Sequence, residues 1–171
     1  MKSMSEKRYG KIKSEIAKSL ARQFKGTWDM LRQAIDKVPS ECWTRGKENW
    51  CYSLRVYHVI ETAAFYSRET PEGMKWGTRL GTEDWWEKMT AQEAAELLTK
   101  EDMTAYLKEM EVHVETALAA YTDASLLEQD GFHWFASILE KYQYLLRHNS
   151  YHIGELALAL REWDCERIKW T

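Results

Sequence analysis

The chain has 171 residues, of which 44% are hydrophobic and 30% charged, and its formal net charge is −3. These values suit one soluble globular domain, spanning 1–171, with a single core. Because basic and acidic residues are interleaved, no basic stripe offers a surface for a phosphate backbone, and we expect no nucleic-acid partner. The first residues lack the apolar segment of a signal peptide, and no run of eighteen uncharged apolar residues follows. We therefore expect no membrane partner and a cytoplasmic location.

The cysteines Cys42, Cys51 and Cys165 are odd in number and form no CxxC pair. This usage fits neither a disulfide framework nor a thiolate zinc site, so we expect reduced and mainly structural thiols. The chain also has nine tryptophans and nine tyrosines. Such rings more often pack in cores and interfaces than form a ligand cage.

The first predicted helix covers residues 20–38, where apolar side chains recur at steps of three and four. Pro39 and Ser40 end this pattern. A short aromatic connection with Trp43 and Trp50 then leads to the next helix.

The stretch SLRVYHVIETAAFYSRE predicts a second helix with a broad apolar face, with Ser53 as its N-cap and an end near Thr70 and Pro71. Residues 71–90 follow, with three glycines, a proline and three tryptophans but no sustained periodicity. A loop of this length is usually functional or covers another part of the protein.

Thr90 and Glu93 form a predicted capping box, and the helical pattern then continues from 103 to 121, with a short helical segment of its own before it. A polar turn at 123–131 leads to the last predicted helix, at 135–163. Four amphipathic helices without a period-two strand predict an all-α four-helix bundle, in which 71–90 is a long crossover connection.

The last helix places polar side chains on its apolar face. His148, Asn149 and His152 lie between Leu145 and Leu156 at helical spacing. Each buried polar group left unpaired costs on the order of 1–3 kcal/mol, so something must satisfy this group. Two histidines four residues apart share one helix face and can bind one metal ion.

A third ligand is expected from another inward face, and His58 in the second helix lies in line with Glu61 and Phe65 at helical steps. His113 flanks the apolar face of the third helix, and we interpret it as a surface or hydrogen-bonded core histidine. His133 lies about four turns before His148, near the start of the last helix.

Other metal templates fit poorly. In a zincin helix a glutamate follows the first histidine, whereas here the residue is Asn149, so HExxH protease chemistry is missing. In di-iron bundles a glutamate stands three residues before each ligand histidine; those positions hold Arg55, Leu145 and Asn149. A histidine on an apolar face is usually bonded to a hydroxyl or carbonyl, and this alternative stays open beside the metal site.

The segments SLRVYHVIETAAFY and HNSYHIGEL resemble the DinB-like (DinB/YfiT) superfamily of metal-binding four-helix bundles, whose last helix carries an HxxxHxGQ pattern. The resemblance implies that His58, His148 and His152 bind one divalent metal ion, most often zinc or nickel, in a site open at one end of the bundle. It departs at Glu155, where the family usually has glutamine, which makes a role in supporting a ligand there doubtful. Together with the aromatic excess, it implies a homodimer.

Three further residues have alternative interpretations. Gly154 is interpreted as allowing the close approach of a neighbouring helix, at a cost of about 1 kcal/mol relative to alanine. Glu61, one turn after His58, is a surface charge, a partner that orients an imidazole, or a catalytic proton acceptor, with the orienting role preferred. Asn149 either bonds a ligand or bridges two helices, and bridging is preferred.

Two functional hypotheses follow. In the first, three neutral imidazoles leave one coordination position free, and the ion activates a low-molecular-weight thiol or water for S-transfer or hydrolysis of a small molecule, in a pocket shaped by the 71–90 loop. The resemblance points to the same chemistry. In the second, the chain is a non-catalytic, metal-stabilised dimeric stress or interaction protein. A fourth ligand such as His113 or Glu61 would favour the second hypothesis.

Overall fold

The computed structural model describes residues 9–47 and 50–171, and this part of the chain is mostly helical. In chain order the elements are α1 (Glu15–Lys37), a 3₁₀ turn (Ser40–Cys42), β1 (Gly46–Lys47), β2 (Trp50–Cys51), α2 (Tyr52–Tyr66), a second 3₁₀ turn (Thr78–Leu80), α3 (Trp85–Lys88), α4 (Ala91–Leu97), α5 (Lys100–Ala119), α6 (Asp123–Leu126) and α7 (Ile138–Glu162). The two strands form one antiparallel pair in which Gly46 faces Cys51. The all-α prediction is confirmed.

Side-chain caps fix where most of the helices begin. The Ser14 hydroxyl accepts from the Ala17 amide at 2.9 Å at the start of α1, and Ser137 accepts from the Glu140 amide at 3.2 Å at the start of α7. The predicted capping box is confirmed, because Thr90 and Glu93 each satisfy the other's backbone N–H at the start of α4. These bonds satisfy amides that have no partner inside the helix.

The prediction of Ser53 as an N-cap is wrong. Helix α2 begins at Tyr52, and Ser53 lies inside its first turn, where its hydroxyl donates to the Ala95 carbonyl at 3.3 Å. The Tyr52 amide donates to the Arg45 carbonyl at 3.0 Å, and the Ser53 amide donates to the Trp43 carbonyl at 2.9 Å. The preceding backbone therefore satisfies the first amides of α2, and no side-chain cap is needed. The helix ends at Tyr66, a few residues before the predicted end at Thr70 and Pro71.

Residues 71–90 are held against α2. The Gly77 amide donates to Glu61 Oε1 at 2.7 Å, which anchors the segment one turn after His58. Gly77 has a φ of 79°, and a Cβ there would lie 2.7 Å from the Thr82 carbonyl oxygen, so this turn requires glycine. The segment also contains the second 3₁₀ turn and α3, so it is more ordered than the predicted loop.

The four long helices pack in pairs around a shared apolar core. Helices α1 and α2 each pack against both α5 and α7. Buried side chains from all four, including Leu31, Ile60, Met110 and Leu156, belong to one hydrophobic cluster. Helix α7 therefore has one face toward α1 and another toward α2. Across the described ranges, none of the helices combines the length and apolar character needed to cross a membrane.

Candidate metal centre

Three histidines from two packed helices come together in the structure. His58 is on α2, and His148 and His152 are one turn apart on α7. One ring nitrogen from each lies within 4.8 Å of those of the other two, and the Nε2 atoms of His58 and His148 are 3.1 Å apart. Two nitrogens that share a tetrahedral ion at about 2.0–2.1 Å lie about 3.3 Å apart. The spacing is thus close to that of a metal site.

The Nδ1 atoms of the two α7 histidines face acceptor groups. His152 Nδ1 lies 2.6 Å from Glu155 Oε2, and His148 Nδ1 lies 3.2 Å from Asn149 Oδ1. With its proton on Nδ1, each ring would donate to this acceptor and keep its lone pair on Nε2. Metal-binding histidines are normally oriented in this way. Glu155, which replaces the glutamine of the DinB-like pattern, thus places a carboxylate oxygen beside the His152 ring.

Arg55 approaches Glu155 and the His152 ring from α2. Its Nε lies 3.3 Å from Glu155 Oε2, and its Nη1 lies 3.4 Å from His152 Nδ1. The guanidinium also lies over the Trp50 ring, 5.9 Å from its centroid. The positive charge of Arg55 balances the negative charge of the half-buried Glu155. The ion pair therefore holds the Glu155 carboxylate beside the His152 ring.

Burial keeps two of the three imidazoles, His58 and His148, in the neutral form. It lowers the pKa of His58 to about 3, with further lowering from His148, His152 and Arg55. Burial also lowers the pKa of His148, against a smaller opposite effect of the bond to Asn149. Neutral imidazole is the form that binds metal ions, so these two ligands do not need to lose a proton near neutral pH.

The interpretation of Asn149 as a bridge between helices is wrong. Its side chain is fully buried, and its Oδ1 bonds the neighbouring His148 within α7. Its Nδ2 has no hydrogen-bond partner among the described residues. Asn149 therefore orients a histidine of the cluster.

Glu61 is buried, with 5% of its surface exposed, so it is not a surface charge. Its Oε1 accepts from the Tyr57 hydroxyl at 2.6 Å and from the Gly77 amide at 2.7 Å. Burial raises its pKa. Neither hydrogen bond is to an imidazole, and the bond to Gly77 anchors the 71–90 segment. The catalytic role of Glu61 stays a prediction.

The close helix contact predicted at Gly154 is wrong. A Cβ at this position would meet nothing within 4 Å, because Gly154 faces an open groove and no packed helix. The two remaining histidines are exposed and lie outside the cluster, His113 on α5 and His133 before α7, which agrees with the predicted surface and helix-start positions.

Aromatic rings flank the histidines. Tyr144 stacks on His148 with 6.1 Å between centroids, and Tyr151 packs edge-on against His152 at 5.1 Å. Tyr66 contacts Tyr144 at 5.1 Å. Tyr144 was not predicted, although its position four residues before His148 puts it on the same helix face.

The 71–90 segment contributes one ring to this aromatic group. Trp76 contacts Phe65 at 4.9 Å, and Phe65 in turn contacts Tyr66 at 4.8 Å. Trp85 and Trp86 contact each other instead. The segment thus reaches the surroundings of the histidines through a single tryptophan.

Comparisons with models of known protein families, with curated proteins and with solved structures found no match to this chain.

Proposed function

We propose that the chain is a metal-dependent enzyme with a DinB-like four-helix bundle, in which His58, His148 and His152 hold one divalent ion, zinc or nickel. The observation that carries the proposal is the convergence of three ring nitrogens within 4.8 Å, two of them on rings whose Nδ1 atoms already have acceptors. Such a donor set fits zinc or nickel, because imidazole suits both ions.

An open coordination position supports catalysis over a purely structural ion. A structural zinc site normally has four protein ligands, whereas three protein ligands leave room for water or substrate. The described part of the chain offers three histidines to the cluster, while His113 is exposed and Glu61 is engaged by Tyr57 and Gly77. Glu155 is held on the outer side of the His152 ring by Arg55.

A bound divalent ion would supply a nucleophile at neutral pH, since it lowers the pKa of a bound water to about 7 or holds a thiol as thiolate. The protein side chains orient the ligands and shape the surroundings. Glu155 and Asn149 fix two rings, and Tyr144 and Tyr151 cover their flanks. Glu61 is the proposed proton acceptor, because its raised pKa brings it closer to the range of a general base.

The proposed substrates are a small electrophile and a low-molecular-weight thiol, or water in a hydrolysis. The proposed setting is a cytoplasmic homodimer. The cysteines support the proposed location, since Cys42, Cys51 and Cys165 form no disulfide with one another and cytoplasmic thiols are normally reduced.

Elemental analysis of purified protein tests the site. We expect about one divalent ion per chain in the wild type, and loss of the ion in His58→Ala and His148→Ala, because two imidazoles are too few for tight binding. His113→Ala is the matched control, since it removes an exposed histidine from α5. Stoichiometric metal in both site variants would contradict the proposal.

A conjugation assay then tests activity. The probes are glutathione or cysteine with 1-chloro-2,4-dinitrobenzene, in which the thiolate sulfur bonds the ring carbon and chloride leaves. We expect metal-dependent turnover that His148→Ala abolishes. Full metal loading without turnover of these thiols or of a hydrolysable ester would favour the non-catalytic, metal-stabilised dimer.

A further inference from the structure

A groove of about 720 Å³ runs along the face of α7 that is turned toward α1, so it does not belong to the histidine cluster. Its floor is formed by small and apolar side chains of the two helices: Gly26, Met30, Leu146, Ile153, Gly154 and Ala157. Small-molecule sites in proteins usually measure about 300–1,000 Å³ and are mainly apolar with a few polar groups.

The last residues of the chain form a wall of this groove. Gln33 on α1 exchanges two hydrogen bonds with the backbone of Lys169, at 3.1 and 2.9 Å, and the Thr171 hydroxyl donates to the Gly26 carbonyl at 3.0 Å. Lys37 donates to the Arg167 carbonyl at 2.7 Å. Residues 167–171 are thereby fixed along α1. Trp170 lines the groove and is 87% exposed, which leaves a large apolar surface facing solvent.

The groove has an excess of positive charge. Arg22, Arg161 and Arg167 line it, and none of the three has a carboxylate partner within salt-bridge distance among residues 9–47 and 50–171. Lys25 differs, because it is neutralised by Asp29. Arg161 ends α7, and the Arg167 backbone binds Lys37 at the end of α1, whereas Arg22 lies about four turns earlier on α1. Guanidinium groups bind carboxylates through paired hydrogen bonds, so Arg161 and Arg167 beside an apolar floor are complementary to an anion with an apolar body.

Gly154 keeps the floor open. A glycine in the middle of a helix costs about 1 kcal/mol relative to alanine. Nothing in the protein lies within 4 Å of where its Cβ would be, so packing does not require the glycine. A larger side chain would project into the groove.

We propose that this groove binds an aliphatic carboxylate, with its hydrocarbon body on Met30, Leu146 and Ile153 and its anionic group at Arg161 and Arg167. The assignment goes beyond the proposed enzymatic function and is independent of it, because the histidines face α2. The proposed ligand is amphipathic. A short anion would leave the apolar floor exposed to water, and an uncharged hydrocarbon would make no ion pair with the arginines.

Calorimetric titration of the full chain with dodecanoate, below its critical micelle concentration, tests the proposal. We expect saturable binding with one site per chain. Acetate has the carboxylate but no long hydrocarbon chain. Dodecyltrimethylammonium has the same dodecyl chain with a positive head group. Both are expected to bind at least tenfold more weakly. Equal binding of the cationic and anionic detergents would overturn the assignment.

Gly154→Leu places a side chain in the groove, and its Cβ meets no protein atom within 4 Å. Leucine also favours a helix more than glycine does, so the variant is expected to fold. We expect dodecanoate affinity to fall at least tenfold. Gln143→Leu is the matched control, because Gln143 is exposed on α7 and does not line the groove. Unchanged affinity in Gly154→Leu would overturn the proposal.

Two further measurements separate the alternatives. Arg161→Gln and Arg167→Gln are each expected to weaken dodecanoate about tenfold, which is 1.4 kcal/mol, whereas Arg147→Gln on the same helix is not. A concentration-dependent dimer in sedimentation that Gly154→Leu dissociates would assign the groove to a second copy of the chain and overturn the proposal. Metal content of all these variants is expected to match the wild type, so a failure here is distinct from a failure of the histidine site.

Discussion

The two faces of α7 hold their polar groups in different ways. On the face toward α2, His148 and His152 have acceptors beside their Nδ1 atoms, and the Glu155 carboxylate is paired with Arg55. On the face toward α1, Gly154 meets nothing and Arg161 has no carboxylate partner among the described residues. The first face is organised before any ligand binds, whereas the second leaves space and charge for one. A metal ion needs ligands that are already oriented, as on the face toward α2. A flexible organic ligand needs an open apolar groove with a few charged groups, as on the face toward α1.

Removal of His148 is expected to have the largest effect on the organised face. An ion that binds only the folded chain stabilises it by about 2.7 kcal/mol at a hundredfold excess over its dissociation constant. We expect this gain for the wild type with zinc or nickel and none for His148→Ala, measured by chemical unfolding. Arg161→Gln, on the other face, is the control and is expected to keep the gain. An undiminished gain in His148→Ala would assign the metal elsewhere.

Glu155 is expected to have the next largest effect. Loss of a group that orients a metal ligand typically costs 10- to 100-fold in metal affinity, so we expect Glu155→Ala to weaken zinc binding by about that factor. Glu155→Gln keeps an oxygen acceptor for His152 Nδ1 and is expected to lose less. Competition with a chromogenic chelator measures both. Equal affinities of wild type and Glu155→Ala would show that Glu155 does not support the site.

Acid is expected to destabilise the metal-free protein through His58. The pKa of His58 is about 3 in the folded chain and about 6.5 in an unfolded one, so the unfolded state binds more protons below pH 6.5. Its contribution is therefore complete above pH 6.5 and is lost as the pH falls toward 3, on the order of 1–2 kcal/mol by pH 5. Urea unfolding in chelator at pH 7 and 5 measures it. His58→Leu should have a shallower slope, and an identical slope would contradict the lowered pKa.

Glu61 tests whether the 71–90 segment depends on its anchor. In Glu61→Gln the charge is lost but an acceptor remains for the Gly77 amide, so we expect a loss of about 1–2 kcal/mol in stability, because hydrogen bonds to charged groups contribute about 1.5–3 kcal/mol. Metal affinity should be unchanged. If Glu61 is also the proton acceptor, kcat falls while the metal stays bound. If Glu61→Gln instead lost the metal but kept the wild-type free energy of unfolding, Glu61 would be assigned as a group that orients an imidazole.

The sequence predicts the helices well because their signals are local. Periodic apolar residues, Pro39 and the Thr90–Glu93 capping box act within a few residues of the chain. The start of α2 was predicted at the wrong residue because its amides are satisfied by the backbone at Trp43 and Arg45, which only the folded turn brings near.

The three histidines were predicted from spacing on helix faces, but their partners were predicted less well. Glu155 and Arg55 meet at His152 from two helices, and a contact between helices has no period in the sequence. Lys141 is a further case, since it is fully buried and donates to the Arg68 carbonyl at 2.7 Å. The sequence does not predict this contact, because a lysine in a helix is normally exposed and its position does not indicate a buried partner. The open face at Gly154 was likewise misjudged, because a small residue fits both a close contact and an empty groove.

The smallest expected effect sharpens this last point. Gly154→Ala should raise the free energy of unfolding by about 0.5–1 kcal/mol, because the helix gains propensity and the new methyl group meets nothing within 4 Å. Gly26→Ala on α1 is the matched variant, since the same change there puts a Cβ 3.1 Å from the Thr171 carbonyl oxygen. That contact is tight, so the gain at Gly26 should be smaller or reversed. Urea unfolding of both variants measures the difference. Equal gains in the free energy of unfolding would mean that residues 167–171 do not pack tightly on α1. A lower free energy of unfolding in Gly154→Ala would indicate a close helix contact at Gly154 in place of the groove.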